Sequence, residues 1–179
     1  VCQPCWDRIP ALLPPYCDAC GAPLPSSRVL DSSRATCRDC RRAPASALTL
    51  VRAIGSYDGT LRVLVQRMKY AGHSSLAHRL GRLARSAGRD VLDGADYAVP
   101  VPLHPVRRLQ RGFNQASLIA GALGIPDLPA LRRARWTPTQ TGLSAQQRQQ
   151  NVDRAFALSY LLRLRGTRHT VENRTLVLV

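Results

Sequence analysis

All six cysteines of this chain fall within its first forty residues, as three CxxC pairs: Cys2/Cys5, Cys17/Cys20 and Cys37/Cys40. Two residues between cysteines let one tight turn aim both sulfurs at a single metal ion. Two such turns complete a tetrahedral tetrathiolate zinc site. Sixteen residues separate Cys20 from Cys37, within the range of a zinc ribbon. The expected ligand set is therefore Cys17, Cys20, Cys37 and Cys40. A closed tetrathiolate leaves no coordination position for substrate, so the zinc is expected to be structural, stabilising a module too small to bury a core.

Two other uses of these cysteines are weighed. A disulfide framework belongs to secreted chains, and the N-terminal VCQPCWDRIP has neither the basic start nor the apolar run of a signal peptide. A redox CxxC would occur once, beside a βαβ unit. Six thiolates do not divide into four-ligand sites. Cys2 and Cys5 are therefore orphaned, share a second site with ligands absent from this chain, or are vestigial.

Residues 1–45 read as a small loop-rich zinc ribbon and residues 46–179 as an α/β unit. SALTLVRAIGSY has strand alternation. In DGTLRVLVQRMKYAG, Leu61, Leu64, Val65 and Met68 fall at helical spacing, and Gly72 is a natural stop. SSLAHRLGRLARSAG is a second helix, capped by Ser74 or Ser75, with Leu76, Leu80 and Leu83 on one face and Gly88 near its end. YAVPVP reads as a short buried strand, NQASLIAGALG as a helix and PALRRARW as another strand. RTLVLV, at residues 174–179, reads as a strand buried on both faces of a parallel sheet. Alternation of this kind implies a parallel sheet flanked by helices.

No apolar run approaches the roughly 18 residues of a membrane helix, and no membrane partner is expected; the reading is cytoplasmic. The net charge of +15 suggests a phosphate-rich small molecule or a nucleic acid. A composition bias competes with that reading, because Lys69 is the single lysine among 26 basic residues and Glu172 the single glutamate among 11 acidic ones. Arginine nevertheless matters where it clusters, since its planar fork binds phosphate oxygens in pairs.

It clusters in LHPVRRLQRGFNQASLIA, after the strand ending at Val101. Ligands of open α/β sheets bind beyond the carboxyl ends of strands. Arg107, Arg108 and Arg111 precede a helix expected to begin near Asn114, so guanidinium groups and helix N–H groups could converge on a pyrophosphate. A solvated arginine face, with Phe113 as ordinary core, is the alternative. Pro105 holds His104 extended. Further on, TPTQTGLSAQQRQQNVDRAF, residues 137–156, reads as a long mobile loop leading into a short strand; loops this long in compact folds are commonly lids or binding loops, with a generic disordered loop as the alternative.

Taken in order, YCDACGAPLP with CRDC, YDGTLRVLVQRMKYAG, VPVPLHPVRRLQRGFNQA and TPTQTGLSAQQRQQNVDRAF resemble the ComF/GntX family, in which a double zinc ribbon precedes a type I phosphoribosyltransferase domain. The resemblance covers nearly the whole chain. It implies that Leu103 to Gly112, with His104, Pro105, Arg107, Arg108, Arg111 and then Asn114, occupies the pyrophosphate-loop position. It also implies that Thr139, Gln140, Arg148 and Asn151 belong to a flexible hood over the sugar phosphate. Enzymes of that fold displace pyrophosphate from C1 of phosphoribosyl diphosphate through an oxocarbenium-like transition state, aided by Mg²⁺, cations on the leaving group and exclusion of water.

The sequence departs from the family pattern in two places. The family carries a further CxxC before the pair matching Cys2 and Cys5, and an acidic Thr-Thr-Gly loop directly after the strand matching RTLVLV. The chain is therefore expected to start late and stop early, and by itself to bind phosphoribosyl diphosphate weakly or not at all. The acceptor and the oligomeric state are not specified. Two further functions stay open: a nucleic-acid-associated module acting in DNA uptake, with Trp6 and Tyr16 as stacking platforms, and a non-catalytic scaffold on the same fold. In the scaffold reading, Trp6 and IPALLPPY either form an exposed docking patch or pack the ribbon against the α/β unit.

Overall fold

Helices carry most of the core. The computed structural model describes residues 1–25, 35–42, 48–138, 140, 142–164 and 170–179. Two single-turn helices, α1 (Gln3–Asp7) and α2 (Arg38–Arg42), belong to the cysteine-rich segment. The longer α3 (Gly59–Tyr70) and α4 (Ser75–Ala87) follow. Their apolar stripes lie where the 3.6-residue period puts them. Leu61, Leu64 and Met68 are buried together with Leu76, Ala77 and Leu80, and Val65 and Leu83 pack against them. Gly72, at φ 72°, adopts the left-handed conformation just past the end of α3. Trp6 and Ile9 join the same cluster, so the cysteine-rich segment packs onto α3 and α4.

After α5 (Arg89–Leu92) comes β1 (Tyr97–Val99), then α6 (Pro105–Arg111), α7 (Gln115–Ala120), β2 (Leu131–Arg133), α8 (Ala145–Val152), β3 (Phe156–Leu158), α9 (Tyr160–Leu164) and β4 (Leu176–Leu178). β1 and β4 run parallel with Ala98 opposite Val177, while β2 and β3 are antiparallel with Arg132 opposite Ala157. The second edge of β1 is also satisfied. Ala98 N–H donates to Pro126 O at 2.9 Å and Leu128 N–H donates to Ala98 O at 2.8 Å. Ala98 and Val99 are accordingly buried, as expected of a short central strand. The carboxyl end of β1 leads straight to α6 and α7.

α7 lies across α4 at Gly81, where a β-carbon would sit 2.5 Å from Ala122 Cβ and 3.0 Å from Ile119 O. Only a residue without a side chain permits that approach. No helix among the described residues is long and apolar enough to cross a membrane.

Three expectations need correction. Of SALTLVRAIGSY, residues 48–57 are described and form no strand. Val51 N–H bonds to Asp18 O in the cysteine-rich segment instead of a sheet neighbour, and a cavity of about 580 Å³ separates this stretch from β4. β4 itself is not buried on both faces: Leu176 and Leu178 are 40% and 50% exposed. The long loop expected across residues 137–156 contains α8. Ser144 caps it by accepting from Gln147 N–H, and the Gln147 side chain accepts from Ser144 N–H at 2.8 Å, a reciprocal capping box that fixes a helix start even without an apolar face. The parallel part of the sheet is thus the β1–β4 pair, with a separate antiparallel pair beside it. The boundary expected between residues 45 and 46 lies outside the described residues.

Candidate functional site

The expected cysteines converge. A turn running from Tyr16 to Pro23, closed by Gly21 at φ 74° and by Gly21 N–H donating to Cys17 O at 2.8 Å, presents Cys17 and Cys20. The first turn of α2 presents Cys37 and Cys40. The four Sγ atoms all lie within 4.8 Å of one another, and Cys20 and Cys37 are 3.8 Å apart. Four sulfurs about 2.3 Å from one zinc ion stand roughly 3.8 Å apart along a tetrahedral edge, so the spacing fits the ion. The backbone fits as well, since Cys37 N–H points at Cys17 Sγ at 3.3 Å and Cys40 N–H at Cys37 Sγ at 3.5 Å.

The electrostatics have the same sense. Burial pushes the Cys17 thiol up, but backbone N–H groups of Cys37 and Cys20 outweigh it and draw the thiol down to about 6. Hydrogen bonds with the Cys20 and Cys37 sulfurs push Cys40 up to about 12. Each thiolate makes the next harder to form, and a dication at the centre reverses that penalty. Cys2 and Cys5 stand apart at the start of α1, their sulfurs 3.3 Å from each other. Among the described residues they gather no third ligand.

Sequence reasoning missed the fastening of this centre. Arg52, whose side chain is 10% exposed, donates to Asp90 of α5 at 2.8 Å through Nε and reaches Asp18, the neighbour of Cys17, at 3.5 Å. Its guanidinium also lies 4.4 Å from the centre of the Tyr16 ring. Asp18 in turn accepts from Ala35 N–H at 2.9 Å. Trp6 is buried beneath Arg79, 4.5 Å from the guanidinium. Neither Trp6 nor Tyr16 is a free stacking platform, and of the two scaffold alternatives Trp6 follows the packing one.

The basic segment after β1 is helical. Arg107, Arg108 and Arg111 lie on α6 itself and not on a loop before a helix. Pro105 occupies its first turn, and extended His104 caps it, Nδ1 accepting from Val106 N–H at 3.3 Å. Asn114 caps α7: Oδ1 accepts from Ala116 N–H at 3.2 Å, while Nδ2 donates to Val101 O and Ser117 Oγ, both at 3.0 Å. That N–H is therefore engaged by the chain and not free for an anion, and Asn114 ties the end of the sheet to α7. Arg108 points to solvent.

Arg107 and Arg111 are held in place. Arg107 donates to Thr137 O at 2.9 Å, and Arg133 of β2 donates to the hydroxyl of the same buried threonine. Burial, then the like charge of Arg107, press Arg133 below the ordinary arginine value. Arg111 packs on Tyr70, 5.3 Å from the ring centre, and donates to Gln115 Oε1 at 3.4 Å. From Tyr97 to Val152 the chain has seven arginines and a single acidic residue, Asp127.

Of the expected hood residues, Gln140 is exposed, and Arg148 and Asn151 lie on α8. Asn151 Nδ2 donates to Pro138 O at 3.3 Å. Thr139 lies outside the described residues. Arg133, Thr137 and Gln115 were not anticipated, because they meet α6 only through the tertiary fold. A pair of adjacent arginines in a strand, Arg132 and Arg133, was the available signal.

Comparison with known proteins places the chain among bacterial competence and DNA-utilization proteins. It is similar to Competence protein F of Haemophilus influenzae, 34% identical over 169 residues that cover 89% of this chain and 70% of that protein. DNA utilization protein YhgH of Escherichia coli K12 is 32% identical over 155 residues, 79% of this chain and 64% of that protein. Competence protein ComFC of Bacillus subtilis is 28% identical over 132 residues, covering 70% of this chain and 52% of that protein. No family model matches the chain. No solved structure matches it.

Proposed function

This chain belongs to the ComF family of competence proteins, and from that premise we propose that it serves DNA uptake and utilization through an α/β unit of phosphoribosyltransferase type stabilised by a zinc ribbon. The α6 site takes the diphosphate of phosphoribosyl diphosphate, with Mg²⁺ as the companion ion and pyrophosphate as the leaving group. One observation carries this reading: beyond the carboxyl end of a parallel strand, Arg107 and Arg133 meet at Thr137 with Arg111 one turn further along α6, and among the described residues none of the three pairs with a carboxylate. Such a concentration of like charge is relieved by a bound anion. Inorganic pyrophosphate titrated calorimetrically into the protein is expected to bind, and the Arg107→Ala/Arg111→Ala double variant to weaken it at least tenfold. Equal heats from the two proteins would overturn the assignment.

A second reading is supported by the exposed aromatics beside the same arginines. Tyr70 and Trp136 are 71% and 57% exposed, Tyr70 against Arg111 and Trp136 next to Thr137. Base stacking on such rings, with phosphates on the arginines, is how single strands are held without sequence preference. Of the two tryptophans Trp6 is buried, so quenching of Trp136 fluorescence by an oligothymidylate, weakened steeply by salt, is the test. An unquenched signal at low salt would remove this reading.

A further inference from the structure

We infer that Lys69 contacts the ligand of the α6–α7 site, its ammonium pairing with an oxyanion of the diphosphate class alongside Arg111. The inference rests on the reading of that site as an anion site and adds a residue that no arginine motif points to.

The first observation is compositional. Of 26 basic residues, 25 are arginine and Lys69 alone is lysine. A bias strong enough to fill every other basic position with arginine leaves lysine where a guanidinium does not serve. The two side chains differ in ways that matter at a crowded site: the ammonium is a compact, rotatable point charge, and the guanidinium is a broad, fixed fork.

The second observation is position. Lys69 lies in the last turn of α3, half-buried, directly before Tyr70, on whose ring Arg111 packs. It makes no ion pair among the described residues. Desolvation, then the charge of Arg111, hold its amine below the ordinary lysine value. The carbonyl end of α3 favours any cation there, arginine as much as lysine, and so does not account for the choice.

The third observation is Gln115, the first residue of α7, which is 6% exposed. Its Oε1 accepts from Arg111, but its Nε2 has no partner. A buried amide left with an unmade hydrogen bond carries a penalty of about 1–3 kcal/mol. One anion accepting from Lys69, Arg111 and Gln115 Nε2 removes both that penalty and the cation–cation repulsion. The ends of α3 and α6 and the start of α7 thus supply two positive charges and one free donor, which suits the terminal oxygens of a diphosphate.

The single lysine makes the test direct. Reductive methylation of the protein with ¹³C-formaldehyde labels Lys69 and the N-terminal amine, and the Lys69→Arg variant identifies the lysine resonance by its loss. Inorganic pyrophosphate is then titrated by NMR and, in parallel, by calorimetry. The expected result is a saturable shift of the Lys69 resonance that follows the calorimetric isotherm. Lys69→Met is expected to weaken pyrophosphate binding at least tenfold, and Lys69→Arg at least fivefold despite its retained charge. Binding heat with an unmoved Lys69 resonance and unchanged affinity in Lys69→Arg would overturn the inference and leave the anion site standing. No heat and no shift would overturn the anion site and the role of Lys69 with it.

Discussion

The cysteine cluster and the arginine cluster are two versions of one electrostatic problem. Each gathers groups of like charge: four thiols within 4.8 Å of one another in one case, guanidinium groups meeting at Thr137 in the other. They differ in how the chain assembles them. The thiols come from two short turns whose spacing is written in four consecutive residues each. The cations come from α6 and β2, brought together only when β1, α7 and β2 have packed. The first arrangement stands on local backbone geometry that suits a metal ion, whereas the second depends on the whole α/β core.

The largest expected effect breaks the first region and spares the second. Chelation of zinc, or Cys37→Ser, should unfold the segment around Tyr16–Pro23, because in zinc-dependent modules metal affinity, roughly 10–16 kcal/mol in apparent terms, is folding energy. Loss of one tightly held zinc per chain, with α3 and α4 helicity retained by circular dichroism, is the confirming measurement. Next is Arg52→Met. It leaves Asp18 and Asp90 without their shared partner, and should cost about 2–3 kcal/mol in denaturant unfolding. The half-exposed Asp90 keeps the loss below that of a fully buried pair.

Asn114→Ala acts on the second region. It removes the cap of α7 and the bond to Val101 O, and should cost about 1–2 kcal/mol while leaving the zinc content unchanged. The smallest effect concerns Asp96, whose carboxyl is held below the usual range chiefly by Thr175 N–H and then by Arg174. A depressed folded value means that its contribution is present above the unfolded value of about 3.9 and lost as pH falls through the folded one. The stability profile of the wild type should therefore drop more steeply below about pH 4 than that of Asp96→Asn.

This contrast also explains what could be read from the sequence. The CxxC spacing and the periods of α3 and α4 are local, and the structure follows them. RTLVLV was legible as a strand but not as an exposed one, since its apolar residues do not say which neighbours cover them. Residues 48–57 carry strand alternation, yet Val51 and Arg52 are engaged by Asp18, a contact across more than thirty residues. α8 escapes the sequence in the opposite way: Ser144 and Gln147 spell a capping box, but a polar helix has no apolar period to announce it. Arg133 meets Arg107 only through a buried threonine, and no sequence window holds all three in register.

Gly81 has a consequence for how substitutions in this protein would be ranked. Its contact with Ala122 and Ile119 lets α4 and α7 touch backbone to backbone, and α7 is fastened by Asn114 to the end of β1. In a saturation screen scored on the protein's function, position 81 would tolerate almost nothing and would look as essential as any ligand-contacting residue. Scored on protein abundance instead, it would fail there too, whereas Arg107 and Arg111 would pass. The two scores together would separate residues that build the site from residues that use it.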